Sequence, residues 1–170
     1  MKTFQQFIDD IPELDESSMT RLKSQSDKGG TAVMSASRGN LSAKENRARA
    51  KKLDRTIRSK FGKGATKVTG KYDEKDEKTG ETRRVKERSH VIQQGKMGKR
   101  KFKKAVKSLG RKYGQDSVIT QQKGSKDATL KRTRKGSMSK QNMKLGKMRP
   151  GRSGENETQK KGKTFTYDTK

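Results

Sequence analysis

The scarcity of apolar side chains limits what this chain can fold into. Leu, Ile, Val and Phe together number 23 of 170 residues, whereas Lys and Arg number 46 and Asp and Glu 19. Little apolar burial is then available to offset the entropy that the chain loses on ordering. Fourteen of the 23 lie within residues 31–122, and three lie after residue 122. We therefore predict one small core in the middle of the chain.

The pattern of residues divides the chain into three parts. Residues 1–30 are predicted to form an amphipathic helix over 3–11, followed by a polar helix or linker. Residues 31–122 are expected to form a small α+β domain. Residues 123–170 are rich in Gly, Lys and Arg, and they are expected to form a largely extended basic tail that ends in a short strand over 163–168.

Within the middle part, the expected fold class is α+β, with a β-α-β-β-α-β order and both helices packed on one face of a small sheet. Ser42 and Glu45 form the S-x-x-E pattern of a helix capping box, which sets the start of the first helix. The predicted strands cover 31–36, 66–72, 83–94 and 116–121, and the predicted helices cover 42–58 and 99–113.

The charge of the chain is strongly positive. The net charge is +27, and mixed charges would keep a protein dissolved equally well. Lys and Arg that neutralise phosphates drive nucleic-acid binding by releasing counterions. We therefore predict a basic, non-catalytic nucleic-acid-binding protein, with DNA as the favoured partner over RNA. The binding is expected to tolerate any base sequence, because the chain has no Trp and shows no zinc-finger, basic-zipper or RNP1-type motif.

The cations expected to contact nucleic acid lie on the second helix and at the start of the tail. They are Lys99, Arg100, Lys101, Lys103, Lys104, Lys107, Arg111, Lys112, Lys131, Arg132, Arg134 and Lys135.

Catalytic chemistry finds little support in the sequence. The chain has no Cys, and His90 is its single histidine, which makes a poor metal or nucleophile site without converging partners. We expect no enzymatic activity, metal, cofactor or small-molecule substrate. If a hidden site exists, it is a polar one formed by Asn46, Arg49, Glu87, Ser89 and Gln115. The alternative is that Asn46 and Gln115 satisfy backbone groups of loops.

Three short motifs carry a resemblance to a known family. They are Leu41-Ser42 with Glu45-Asn46 and Arg49, Glu87 with Ser89, and Tyr113-Gly114-Gln115 with Val118. In order and spacing they resemble an uncharacterised small domain family of bacteria and tailed phages. The ending, with Pro150-Gly151-Arg152 and the run 162–166, is similar to the small basic proteins of marine tailed phages. The resemblance implies no activity, because that family has none assigned, and residues 37–40 replace an Asn-Pro pair of its bacterial members.

Two other functions remain open. The chain could be a virion structural component, associated with capsid, portal or neck, whose basic tail orders against acidic protein partners or packaged DNA. It could also be a small enzyme or an inhibitor of a host enzyme. No apolar run approaches the ~20 residues that span a bilayer. We expect a protein of the host cytoplasm or the virion interior, not secreted by a signal peptide.

Overall fold

We describe the fold from a computed structural model of the chain. The residues that the structure describes are 13–75, 78–133, 142–152, 157–160 and 163–168. The amphipathic helix predicted for residues 3–11 lies outside them.

Three helices occur among the described residues. Ser42 caps the second of them: its hydroxyl accepts a hydrogen bond from the Glu45 backbone N–H, and the Glu45 carboxylate accepts one from the Ser42 backbone N–H. The capping box predicted from the sequence is therefore confirmed. The helices are α1 (Glu13–Gly29), α2 (Ala43–Phe61) and α3 (Lys99–Lys112).

Within the described ranges, eight strands form one closed antiparallel barrel, in the spatial order β1-β3-β2-β7-β8-β6-β5-β4. The last strand pairs with β6 on one side and with β7 on the other. Because β7 also pairs with β2, the sheet returns on itself. The strands are β1 (Thr31–Ser35), β2 (Thr66–Lys75), β3 (Thr82–Gln93), β4 (Ser117–Gln121), β5 (Asp127–Arg132), β6 (Met143–Pro150), β7 (Glu157–Lys160) and β8 (Lys163–Tyr167).

The predicted fold class, a small α+β core with an extended basic tail, is wrong. The elements of 31–121 follow one another in the predicted order, but β5 to β8 extend their sheet into a barrel. Strand pairing joins backbone groups, and only alternate side chains face the interior. A strand rich in basic residues can therefore join the sheet although only one or two of its side chains are buried. Examples are Met148 on β6 and Phe165 on β8. The division of the chain at residues 30 and 122 stays a prediction, although strands from both sides of residue 122 pair with each other.

A close backbone approach brings β6 next to the residue that follows β8. Gly146 has a φ of 76° and lies at a bulge between β5 and β6. A β-carbon at this position would lie 2.1 Å from the backbone oxygen of Asp168, so that only glycine fits. The Asp168 backbone N–H donates a 3.0 Å hydrogen bond to the carbonyl of Lys147. Glycine is needed where two backbones approach this closely.

Two apolar clusters lie on opposite faces of the barrel wall. The outer cluster packs α2 and α3 against β1, β3 and β4, and its largest members include Leu53, Ile57, Phe102 and Leu109. The inner cluster consists of Met19, Leu22, Val68, Val91, Met148 and Phe165, with Val33 and Tyr167 packed against it. Because Met19 and Leu22 belong to α1, this helix contributes to the barrel interior.

Helix α1 covers one end of the barrel. The Thr31 hydroxyl at the start of β1 donates a 3.1 Å hydrogen bond to the Ser26 hydroxyl, and the Gln121 amide at the end of β4 donates a 2.7 Å bond to Asp27. The opposite ends of these strands carry no such cover from α1. Among the described residues, no helix combines the length and the apolar character needed to cross a bilayer.

A buried histidine lies on β3, on the side away from the inner cluster. His90 is fully buried, and neither ring nitrogen has a hydrogen-bond partner among the described residues. One carboxylate oxygen of Asp54 on α2 is also buried without a partner, while the other lies 3.4 Å from Lys67 Nζ. Burial lowers the pKa of His90 below its usual 6.5; Asp54 opposes this effect, and Lys67 and Arg88 add to it.

This lowered pKa predicts a loss of stability in mild acid. As the pH falls below 6.5, the unfolded chain takes up a proton at His90 before the folded chain does. The free energy of unfolding then falls, by at most about 1.4 kcal/mol per pH unit. We expect urea unfolding between about pH 7.5 and about pH 5.5 to show this loss in the natural chain and a smaller loss in His90→Gln. Equal losses in the two proteins would contradict the prediction.

Candidate functional site

The strand register places a carboxylate on the inner wall of the barrel. Val91 on β3 belongs to the inner cluster, and side chains alternate between the two faces of a strand. Ser89 and Glu87 therefore share the inner face with Val91. Gly70 on β2 lies directly opposite Glu87. Thr158 on β7 lies on the other side of Gly70, so that three strands meet around this carboxylate.

A cavity of about 350 Å³ lies around these residues. It is at the end of the barrel away from α1, because it is lined by Ser35, which ends β1, and by Ser117, which begins β4. Its lining residues come from seven strands and from the chain that follows α3. They are Val33, Met34, Ser35, Gly70, Lys71, Glu87, Ser89, Gln115, Ser117, Val118, Ile119, Leu130, Thr158 and Tyr167.

The chemistry of the lining suits a small organic molecule that carries charged groups, because the lining includes both the ammonium group of Lys71 and a carboxylate. Glu87 is the single carboxylate among the lining residues that the structure describes, and it is flanked by hydroxyl groups such as those of Ser89 and Thr158. Ile119 and Leu130 provide apolar walls. Small-molecule sites typically have volumes of about 300–1,000 Å³ and combine apolar walls with a few polar groups. This cavity is therefore the candidate active site.

Tyr167 contributes an aromatic wall to the cavity. Its ring packs edge-on against Phe165 at a centroid distance of 5.8 Å, and burial raises the pKa of its phenol well above the usual 10. The phenol therefore stays uncharged at neutral pH. An aromatic face attracts a cation held within about 6 Å of it.

A second, larger cleft of about 520 Å³ lies beside the first and shares Glu87 with it. It is formed by the loop before α2, the first turns of α2 and one end of β3. Basic side chains dominate its lining, although Arg84 is paired with Asp73 at 2.9 Å. Its basic lining residues are Arg38, Arg47, Arg83, Arg84, Lys86 and Arg88.

Asn46 fixes the loop that separates β1 from α2. Its carbonyl oxygen accepts a 2.9 Å hydrogen bond from the backbone N–H of Arg38, and its amide donates to the carbonyls of Arg38 and Leu41. The Gln115 amide donates a 3.0 Å bond to the carbonyl of Ser37 in the same loop. Both amides therefore satisfy backbone groups, while Gln115 also lines the cavity.

Arg49 joins three elements of the structure. Its Nε donates a 2.7 Å hydrogen bond to the carbonyl of Ala36, and its Nη2 donates a 2.6 Å bond to the carbonyl of Tyr113. The guanidinium carbon also lies 5.5 Å from the centre of the Tyr113 ring. Arg49 therefore links α2, the loop after β1 and the end of α3.

The structure brings together three of the five residues of the predicted polar site. Glu87, Ser89 and Gln115 line the barrel cavity, whereas Asn46 and Arg49 hold the adjoining loop in place. A catalytic role for any of the five stays a prediction. The sequence-based search missed Gly70, Thr158 and Tyr167. For Tyr167 a signal was present, because Phe165 and Tyr167 alternate in a β-prone run.

The cations predicted to bind nucleic acid are mostly exposed on the outer face of α3. Lys103 is half-buried, and burial, followed by the charges of Lys99 and Lys131, lowers its pKa. Lys131 and Arg132 lie half-buried on β5. Arg134 and Lys135 lie outside the described residues. The exposed members are Lys99, Arg100, Lys101, Lys104, Lys107, Arg111 and Lys112.

Metal binding has no support within the described ranges. No group of three or more His, Cys, Asp or Glu side chains there is placed to hold an ion.

Comparison with known proteins identifies the family. The model of the S-Adenosylmethionine lyase family matches residues 32–170, which include every residue lining the barrel cavity. No curated protein matches the chain. Because the family match covers most of its length, the chain belongs to the S-adenosylmethionine lyase family.

This finding overturns four predictions made from the sequence. The resemblance to an uncharacterised domain family and to small basic phage proteins is wrong as an identification, since the match is to a lyase family. The predictions of a nucleic-acid-binding protein, of no enzymatic activity, and of nucleic acid rather than a small molecule as partner are wrong for the same reason. These predictions were drawn from the net charge, which reports on the surface of the protein, whereas the candidate active site lies inside the barrel. Of the alternatives, the small enzyme is the one that the family supports.

The links made by Arg49 predict a specific loss of stability. Arg49→Lys keeps the charge but cannot bridge two carbonyls with a planar guanidinium. We expect the free energy of unfolding in urea to fall by about 1–3 kcal/mol. Arg55→Lys, an exposed position on the same helix, is the matched control and should change stability little. Equal effects at the two positions would show that the guanidinium does not hold the loop.

Proposed function

We propose that this chain cleaves S-adenosylmethionine in the barrel cavity, with Glu87 as the countercharge for the ammonium group of the substrate. One observation supports the placement above others: the matched region encloses a cavity with a single carboxylate among its described lining residues. Apolar walls and hydroxyl groups around that carboxylate suit a molecule that carries a cationic amino-acid arm and a nucleoside.

The substrate itself can supply the nucleophile. A lyase breaks a bond without adding water, and the sulfonium of S-adenosylmethionine makes its C–S bonds the weak ones. If the substrate carboxylate attacks the γ-carbon of its own arm, an O–C bond forms as the C–S bond breaks, and the electron pair moves to sulfur. The products are a five-membered lactone and methylthioadenosine, and no proton needs to be transferred. Such ring closures gain strongly from correct orientation.

The cavity favours this reaction because charge disappears during it. A carboxylate and a sulfonium are both charged before the reaction, and neither group is charged afterwards. Water stabilises the separated charges of the substrate, whereas apolar walls such as Ile119, Leu130 and the Tyr167 ring do so less. A transition state with reduced charge is therefore favoured relative to the bound substrate.

Glu87 places a negative charge on the inner wall of a chain whose net charge is strongly positive. The chain carries a net charge of +27, which repels a substrate that has two positive groups and one negative group. A carboxylate on the inner wall provides local attraction for the ammonium group. Placed there, Glu87 acts by binding and orientation and takes up no proton.

We also propose that the chain acts in the cytoplasm of a host cell. S-adenosylmethionine is a substrate of intracellular methyl transfer, and the chain has no Cys residues that would form disulfides.

The activity is tested by mixing the purified full chain with S-adenosylmethionine and measuring its loss and the appearance of methylthioadenosine by chromatography. We expect Glu87→Gln to lower kcat/KM by roughly 10- to 150-fold, the equivalent of one charged hydrogen bond of about 1.5–3 kcal/mol. Glu81→Gln makes the same chemical change at an exposed position in the β2–β3 connection and should leave kcat/KM unchanged.

Two results would contradict this function. If the natural chain leaves S-adenosylmethionine intact, it does not have the proposed activity. A Glu87→Gln variant as active as Glu81→Gln, with an unchanged thermal midpoint, would show that cleavage does not depend on the barrel carboxylate.

A further inference from the structure

A glycine stands where the inner wall faces Glu87. Gly70 lies in the middle of β2, a strand of ten residues, and it is paired with Glu87 on one side and with Thr158 on the other. Glycine weakens the interior of a strand, because it orders at a greater entropy cost and has no side chain to pack. Its presence at this position therefore calls for a reason.

The backbone conformation does not require glycine at position 70. The φ of Gly70 lies outside the left-handed region that favours glycine, unlike the φ of 76° at Gly146. Other residues can adopt the conformation of Gly70 without strain.

Packing does not supply the reason either. A β-carbon at Gly70 would lie 3.5 Å from Ser89 Oγ and 3.7 Å from the backbone oxygen of Glu87, which are ordinary contact distances. Gly110 on α3 shows the contrast, because a β-carbon there would lie 2.6 Å from a Thr133 side-chain carbon and 2.9 Å from one of Val118. The protein itself therefore has room for alanine at position 70 and not at position 110.

We infer that Gly70 is a specificity-determining residue, which keeps the inner wall open opposite Glu87 so that the amino-acid arm of the substrate can lie against β2. This inference rests on the proposed function. A missing β-carbon in a strand often marks the place where another group approaches the backbone closely. Here the approaching group is the one that Glu87 attracts, since the two residues are directly opposite each other.

The test separates binding of the arm from binding of the nucleoside. Gly70→Ala adds one methyl group to the cavity wall, and Gly70→Val adds three carbons. We expect Gly70→Ala to fold with a thermal midpoint equal to or above that of the natural chain, because a β-carbon is tolerated and the unfolded chain loses freedom. The KM for S-adenosylmethionine should rise roughly tenfold or more in Gly70→Ala and further in Gly70→Val.

Methylthioadenosine is the comparison ligand, because it keeps the nucleoside and the thioether but lacks the amino-acid arm. Its inhibition constant should change less than about twofold in Gly70→Ala, since nothing of this ligand lies beside position 70. Gly29→Ala is the matched control: it ends α1, a β-carbon there meets nothing within 4 Å, and it should alter neither constant.

These measurements test the proposed function and the role of Gly70 separately. If the natural chain does not cleave S-adenosylmethionine, the proposed function fails. If the natural chain is active and Gly70→Ala keeps its KM, the inference fails alone. A methylthioadenosine inhibition constant raised as much as the KM would place the nucleoside at Gly70 and overturn the assignment. A clearly lower thermal midpoint in Gly70→Ala would show that the glycine serves packing, which also overturns it.

Discussion

Closure of the sheet by its last three strands is the constraint on which the rest of this structure depends. β8 pairs with both β6 and β7, and β7 pairs with β2. These pairings give a chain with few apolar residues an interior, because a closed sheet satisfies its backbone groups without free edges. The same closure decides which alternate side chains face inward, and so it places Glu87 inside the barrel.

The position of Glu87 on the inner wall connects the fold to the proposed chemistry. A strongly basic chain repels a cationic substrate, and we propose that the carboxylate of Glu87 on the inner wall attracts it locally. Apolar walls then favour a reaction in which opposite charges cancel. In the proposed reaction, binding and acceleration come from different parts of the cavity: the carboxylate of Glu87 would hold the ammonium group, and the uncharged walls would act on the sulfonium and the carboxylate of the substrate.

Local structure could be predicted from the sequence, and long-range pairing could not. The capping box of Ser42 and Glu45 specifies the start of α2 within a few residues, so the helix was found. Strands over 66–72 and 83–94 were predicted from equally local signals, and they correspond to β2 and β3. The partners of Phe165, by contrast, lie on strands far away in sequence, and its run of residues resembles a solvated basic tail.

The candidate site was predicted in part. Glu87, Ser89 and Gln115 were named as a polar set, and they line one cavity. A small-molecule site was not predicted for them, because the net charge of the chain pointed to nucleic acid as the partner. Gly70 could not be recognised at all, because a glycine acquires its meaning from the residue opposite it, and strand register cannot be read from the sequence.

A crystal structure of Glu87→Gln grown with S-adenosylmethionine would show whether the substrate lies inside the barrel. The substitution slows cleavage while keeping the shape of the side chain. We expect density for the substrate in the cavity between β2, β3 and β8, with the amino-acid arm beside residues 70 and 87. Density confined to the outer basic cleft between α2 and β3, with an empty barrel, would contradict it.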